Sequence, residues 1–73
     1  MKERVLRIIY KHPGLRKREI ASYLGIHHFK IISLLSELED AKMVKTVYHH
    51  EPEQMEFYNT YFITDKGLEG LES

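Results

Sequence analysis

Seventy-three residues, 42% of them hydrophobic, can bury one modest core, so the sequence predicts a single domain over residues 1–73 that is only marginally stable unless two copies pair. The lack of cysteine excludes a disulfide framework, a thiolate metal site and a cysteine nucleophile. No apolar run approaches the roughly 18 residues that span a bilayer, and the N-terminal stretch mixes charged with apolar residues instead of showing a signal-peptide core, which predicts a cytoplasmic protein. Net charge is zero, yet residues 1–30 carry eight Lys and Arg against two acids while the remainder carry three against nine. Such a chain presents a basic end, suited to an anionic partner or to the acidic end of a second copy.

The first predicted helix runs from Met1 to His12, with Val5, Leu6, Ile8 and Ile9 as its inward stripe and Lys2, Arg4, Arg7 and Lys11 in water. His12-Pro13-Gly14 ends it, because proline disfavours helix at the residue before it and glycine permits the turn. A second helix starts near Leu15 or Arg16 and closes at Leu24, burying Ile20, Ala21 and Leu24. Arg16, Lys17 and Arg18 crowd its first turn, where each positive charge opposes the helix dipole by a few tenths of a kcal/mol. Three in succession fit a bound anion as well as they fit a solvated turn. Leu24-Gly25-Ile26 then forms a tight turn, Gly25 being able to take the left-handed conformation that lets a new helix leave at a steep angle.

That new helix, residues 27–42, is the stretch around which the rest is arranged. At about 100° per residue, Ile31, Leu34, Leu35, Leu38 and Ala41 gather in one arc, while Phe29, Ser33, Ser36 and Asp40 lie opposite. One face is core and the other is presented to a partner. His27 stands where a capping Ser, Thr, Asp or Asn is expected, so the start reads as poorly capped and rich in donors. His27, His28, Lys30, Ser33 and Ser36 can donate to base edges or phosphates, and Phe29 can meet a thymine methyl. A ring of that size more often packs on protein, which favours a packing role for Phe29.

After Lys42 the hydrophobic period changes. Val44 to His50 and Glu56 to Ile63, rich in β-branched and aromatic residues and separated by a polar segment with Pro52, predict a β-hairpin. Phe57 and Tyr61 fall on one face of the second strand, Tyr58 and Phe62 on the other, so both faces need cover, from the domain and a partner subunit or from nucleic acid, with the partner subunit favoured. Thr64 caps a last helix from Asp65 to about Leu71, with Leu68 and Leu71 packing back.

Glu19-Ile20-Ala21-Ser22-Tyr23-Leu24-Gly25-Ile26, Leu38-Glu39-Asp40-Ala41-Lys42-Met43-Val44 and Tyr61-Phe62-Ile63-Thr64-Asp65-Lys66-Gly67 together resemble the winged helix-turn-helix DNA-binding superfamily, over essentially the whole chain. The resemblance implies an α+β fold: three helices, a two-stranded wing and a short C-terminal helix. It is similar to the small, bare domains of archaeal, viral or plasmid regulators, which implies a domain without the additional dimerisation helices of multidrug-resistance and phenolic-acid regulators. It places base reading on His28, Phe29, Ile32, Ser33 and Ser36 and phosphate contacts on Arg16, Lys17 and Arg18. The chain departs from the pattern at Ile32, which replaces a small polar residue, at Lys42, which replaces the turn glycine, and at His27, which replaces the capping serine. Glu51, Glu53 and Glu56 stand where DNA-binding wings carry Arg or Lys.

No residue spacing matches nucleophilic or phosphate-transfer chemistry, so no enzyme and no cofactor are expected. The His27-His28 and His49-His50 pairs each offer at most one ligand to a shared metal, because adjacent side chains diverge. The sequence therefore predicts a homodimeric, double-stranded-DNA-binding transcription regulator with helix 27–42 in the major groove. A winged-helix protein-interaction module is the alternative.

Overall fold

A computed structural model describes residues 1–72, and its element order is α1 (Lys2–Lys11), α2 (Lys17–Leu24), α3 (His28–Asp40), β1 (Val44–Glu51), β2 (Glu56–Ile63) and α4 (Asp65–Glu72). This is the expected α+β winged helix-turn-helix. The first three predicted helices lose a residue or two at their ends, α1 stopping at Lys11 and α3 at Asp40 with Ala41 as its C-cap, while α4 runs one residue past Leu71 to Glu72. The pattern of apolar residues finds the buried turns but not the frayed ones.

The three helices close on one hydrophobic cluster. Val5, Leu6 and Ile9 of α1, Ile20 and Ala21 of α2, and Ile31, Leu35 and Leu38 of α3 meet Val44 and Tyr61 from the hairpin, while Ile8, Leu24, Leu34 and Leu71 pack around them. Burial of Tyr61 pushes its phenol above the usual range, so the ring stays neutral in the core.

Gly25 carries the helix-turn-helix turn, with φ of 67° and ψ of 32°, and the Ile26 amide reaches back to the Ala21 carbonyl at 3.1 Å. That closes α2 in the left-handed manner expected and aims α3 across it. The residue after α3's cap, Lys42, also has positive φ, at 64°. Here a long side chain occupies a conformation that glycine takes without steric cost. Lys42→Gly should therefore stabilise the fold by about 0.5–1 kcal/mol, seen as a higher midpoint in urea at unchanged slope.

The hairpin pairs Val44 with Ile63 through to Glu51 with Glu56, extending β1 one residue beyond the predicted end and leaving a four-residue tip, 52–55. Leu15 is not the start of α2. It forms an antiparallel bridge to Tyr61, accepting from the Tyr61 amide at 3.1 Å, while the Gly14 amide donates to the Tyr61 carbonyl at 3.0 Å. One residue of extended chain is too short to show a strand period, yet it fixes the base of the wing against the turn between α1 and α2.

Candidate nucleic-acid interface

The exposed side of α3 is built by helical spacing. Phe29, Ile32, Ser33 and Ser36, at i, i+3, i+4 and i+7, are all exposed, as Ile31, Leu35 and Leu38 consume the opposite face. Phe29 is 69% exposed, so the expected packing role is not met within this chain: α3 is anchored by its Ile and Leu residues on the opposite face. Its ring instead stacks on that of His27, with centroids 5.0 Å apart, and lies tilted against that of His28 at 4.4 Å.

The start of α3 is better capped than its sequence implies. The His27 ring takes the place of a serine hydroxyl, its Nδ1 accepting from the Phe29 amide at 3.2 Å. That bond engages Nδ1 and leaves Nε2 as the ring atom turned to a partner. His28 is half-buried beside it. Partial loss of water, then the charge of Arg18, hold the His28 pKa below the ordinary imidazole value, with Lys17 adding to the effect. The first turns of α2 and α3 are therefore electrostatic neighbours.

Arg16, Lys17 and Arg18 do not act alike. Arg16 precedes the first turn of α2, its amide donating to the Glu19 carboxylate at 3.0 Å. Its guanidinium turns to the wing, donating to Glu56 at 2.8 Å and lying 3.7 Å from the centre of the Tyr58 ring. The pairing with Glu56 raises its already high pKa. Tyr58 is in turn stacked on His49 at 4.6 Å, and His49 Nε2 meets the Thr60 hydroxyl at 2.9 Å. Arg16 is thus a clasp between helix and wing. It also covers one face of the ribbon from within the chain, where a partner subunit was expected to do so; the other face leaves Tyr48 and Phe57 at 80% and 75% exposure.

Lys17 and Arg18 take no ion pair among the described residues, and neither does Lys30; Lys2 and Arg7 are tied to Glu37 and Glu3. An open cleft of about 420 Å³ lies where Arg16, Lys17 and Arg18 face Glu56, Phe57, Tyr58 and Asn59 of β2. The clasp across it joins residues 40 apart in sequence, and no local signal announces it. Among the described residues no three His, Cys, Asp or Glu side chains are placed to hold a metal, and no helix is long and apolar enough to cross a membrane.

The TFIIE alpha subunit family matches residues 2–70. No curated protein matches the chain. Among solved structures, the PcaV transcriptional regulator from Streptomyces coelicolor, with its natural ligand, superposes with a TM-score of 0.82 at 22% identity, over 97% of this chain and 48% of its own. MepR, a transcription regulator of the Staphylococcus aureus multidrug efflux pump MepA, gives 0.78 at 23%, over 97% and 50%. MarR gives 0.77 at 22%, over 97% and 46%. The chain spans about half the length of these structures, and the likeness at such identities is one of fold.

Proposed function

The chain belongs to the TFIIE alpha subunit family, and from that premise we propose that it is a transcription regulator that binds double-stranded DNA, with α3 in the major groove. The observation that carries the reading is the exposed α3 face flanked by cations that have no acid of their own, Lys17, Arg18 and Lys30. Phosphate contacts fix register and base edges give sequence. In this reading Lys17, Arg18 and Lys30 position the duplex, Arg16 holds the wing at its angle and lends part of its charge, and His27, His28, Phe29, Ser33 and Ser36 face the groove. The chain acts as a single domain in a homodimer, two copies of α3 entering successive grooves about one helical turn apart. The transcription regulators that share its fold support this assignment, and no catalytic step is assigned to the protein.

Titration against random-sequence duplex of about 30 base pairs, over a salt series, tests the proposal. Binding that weakens steeply as salt rises, with a slope of several phosphates, is the expected result; no binding at low salt would reject it. The alternative is a protein-interaction module, favoured by Tyr48 and Phe57 on an acidic wing with 80% and 75% exposure. It predicts no duplex binding at any salt.

Binding should also depend on pH. In the free protein His28 is held toward its neutral form by partial burial and by Arg18. A phosphate drawn to that cluster favours the imidazolium, so the complex binds more protons than the free protein and affinity rises as pH falls from 8 to 5.5. Fold stability runs the opposite way: a lowered imidazole pKa means stability present above the unfolded value and lost as pH falls through the imidazole range. The dissociation constant measured across that range for the protein and for His28→Gln checks the point, since the variant should flatten the dependence.

A further inference from the structure

Phe29 and Ile32 are large apolar side chains, 69% and 41% exposed, on the face of α3 that also carries Ser33 and Ser36. Neither belongs to the hydrophobic core cluster or packs against it, and much of each side chain faces outward. Such a surface gains free energy only from a partner that brings apolar atoms, while unpaired Lys17, Arg18 and Lys30 around it call for a polyanion. A duplex satisfies both demands in one place: the major groove is walled by phosphates, and its apolar feature is the C5 methyl of thymine.

The planar side chains that read bases in bidentate fashion are missing from this helix. His28–Asp40 contains no Arg, Asn or Gln, so the bidentate readers of guanine and adenine are absent. The acids that could accept from cytosine are occupied or remote: Glu37 pairs with Lys2 at 3.7 Å, Glu39 takes the Thr46 hydroxyl, and Asp40 lies in the last turn. Ser33 and Ser36 hydroxyls serve any base, and the mobile ammonium of Lys30 serves phosphate as readily as guanine. His27 and His28 offer at most single hydrogen bonds, so the contact by which the large side chains Phe29 and Ile32 can tell one base pair from another is with a methyl group.

We propose that α3 selects its DNA by thymine methyl groups, with Phe29 and Ile32 as the side chains that contact them, an inference that rests on the DNA-binding reading above. Uracil pairs as thymine does and lacks only the methyl, so it isolates the contact.

Sites selected from a randomised duplex pool with the full chain would be remade with dU replacing dT at one position at a time. The expected result is fixed thymines at the centre of each half-site and about a fourfold loss of affinity for each contacted methyl removed. Phe29→Ala and Ile32→Ala, with folding checked by circular dichroism, should bind more weakly and stop distinguishing dT from dU at the step each one reads. That coupling between side chain and methyl is not produced by a general loss of contact. Equal binding of thymine and uracil duplexes by the unaltered protein would overturn the inference and leave DNA binding intact. Failure to bind any duplex at low salt would overturn both, and would give the apolar face of α3 to a protein partner.

Discussion

Gly67→Ala should lower the melting temperature by about 10–20 °C, a loss of roughly 2–3 kcal/mol. Its sign is opposite to that of most such changes, since alanine in a helix interior is ordinarily about 1 kcal/mol better than glycine. Gly67 is buried in the first turn of α4, where a Cβ would be driven into the Met43 carbonyl oxygen and would stand 2.8 Å from Ile63 Cγ1. Neither neighbour can yield cheaply. The Met43 carbonyl accepts the Thr64 amide at 3.0 Å, and the Thr64 hydroxyl donates to the Lys42 carbonyl at 2.7 Å while accepting the Gly67 amide at 3.1 Å. Moving α4 outward to admit a methyl therefore breaks the cap that starts the helix and the bonds that tie it to the end of α3. Gly70→Ala is the internal control: one turn on, the added methyl meets only the flexible tip of Met43 at 3.2 Å, so the change in melting temperature should be within a few degrees. Thermal unfolding followed by circular dichroism separates the two.

Gly67 shows how much could be read from the sequence and at what level. The Thr64-Asp65-Lys66-Gly67 stretch is recognisable as a pattern, and Thr64 as a cap follows from its chemistry, but the reason for the glycine is a carbonyl 24 residues earlier that no local rule supplies. The helices were legible because Ile31, Leu35 and Leu38 repeat at the helical period, and the wing because that period changes after Lys42. Departures from the family pattern resolve in different ways. His27 is a working cap because a neutral imidazole nitrogen accepts as a hydroxyl oxygen does, and Lys42 retains the left-handed backbone of the glycine it replaces. The basic run on α2 was legible as charge but not as three different environments. Separating Arg16 from Lys17 and Arg18 needs Glu56 and Tyr58, brought in by the hairpin from some 40 residues away.

That separation sets the expected effects of charge changes on α2. Lys17→Glu with Arg18→Glu should reduce duplex affinity by at least about 100-fold at low salt and lower the salt slope by roughly two, because two phosphate contacts release nearly two counterions. Reversal does more than neutralisation, placing two carboxylates where the duplex backbone would lie. Folding should hardly change: neither residue has an ion pair to lose, and removing positive charge from the first turn of α2 suits the helix dipole. The circular dichroism spectrum and melting temperature should thus match those of the unaltered protein while binding disappears. Arg16→Ala should give a different pattern. It removes a surface pair and the cation over Tyr58, both exposed to water and screened by it, so the fold should lose little. Duplex affinity should fall only several-fold, through a wing no longer held to α2. Glu56→Gln should reproduce most of that loss if Arg16 works through the wing, because it leaves the arginine charge in place but weakens the clasp. If Glu56→Gln instead tightens binding, Arg16 reaches phosphate directly once released from its carboxylate. The three variants in one salt series therefore assign the role of each cation, and unchanged binding by the Lys17 and Arg18 double reversal would remove DNA from the description of this surface.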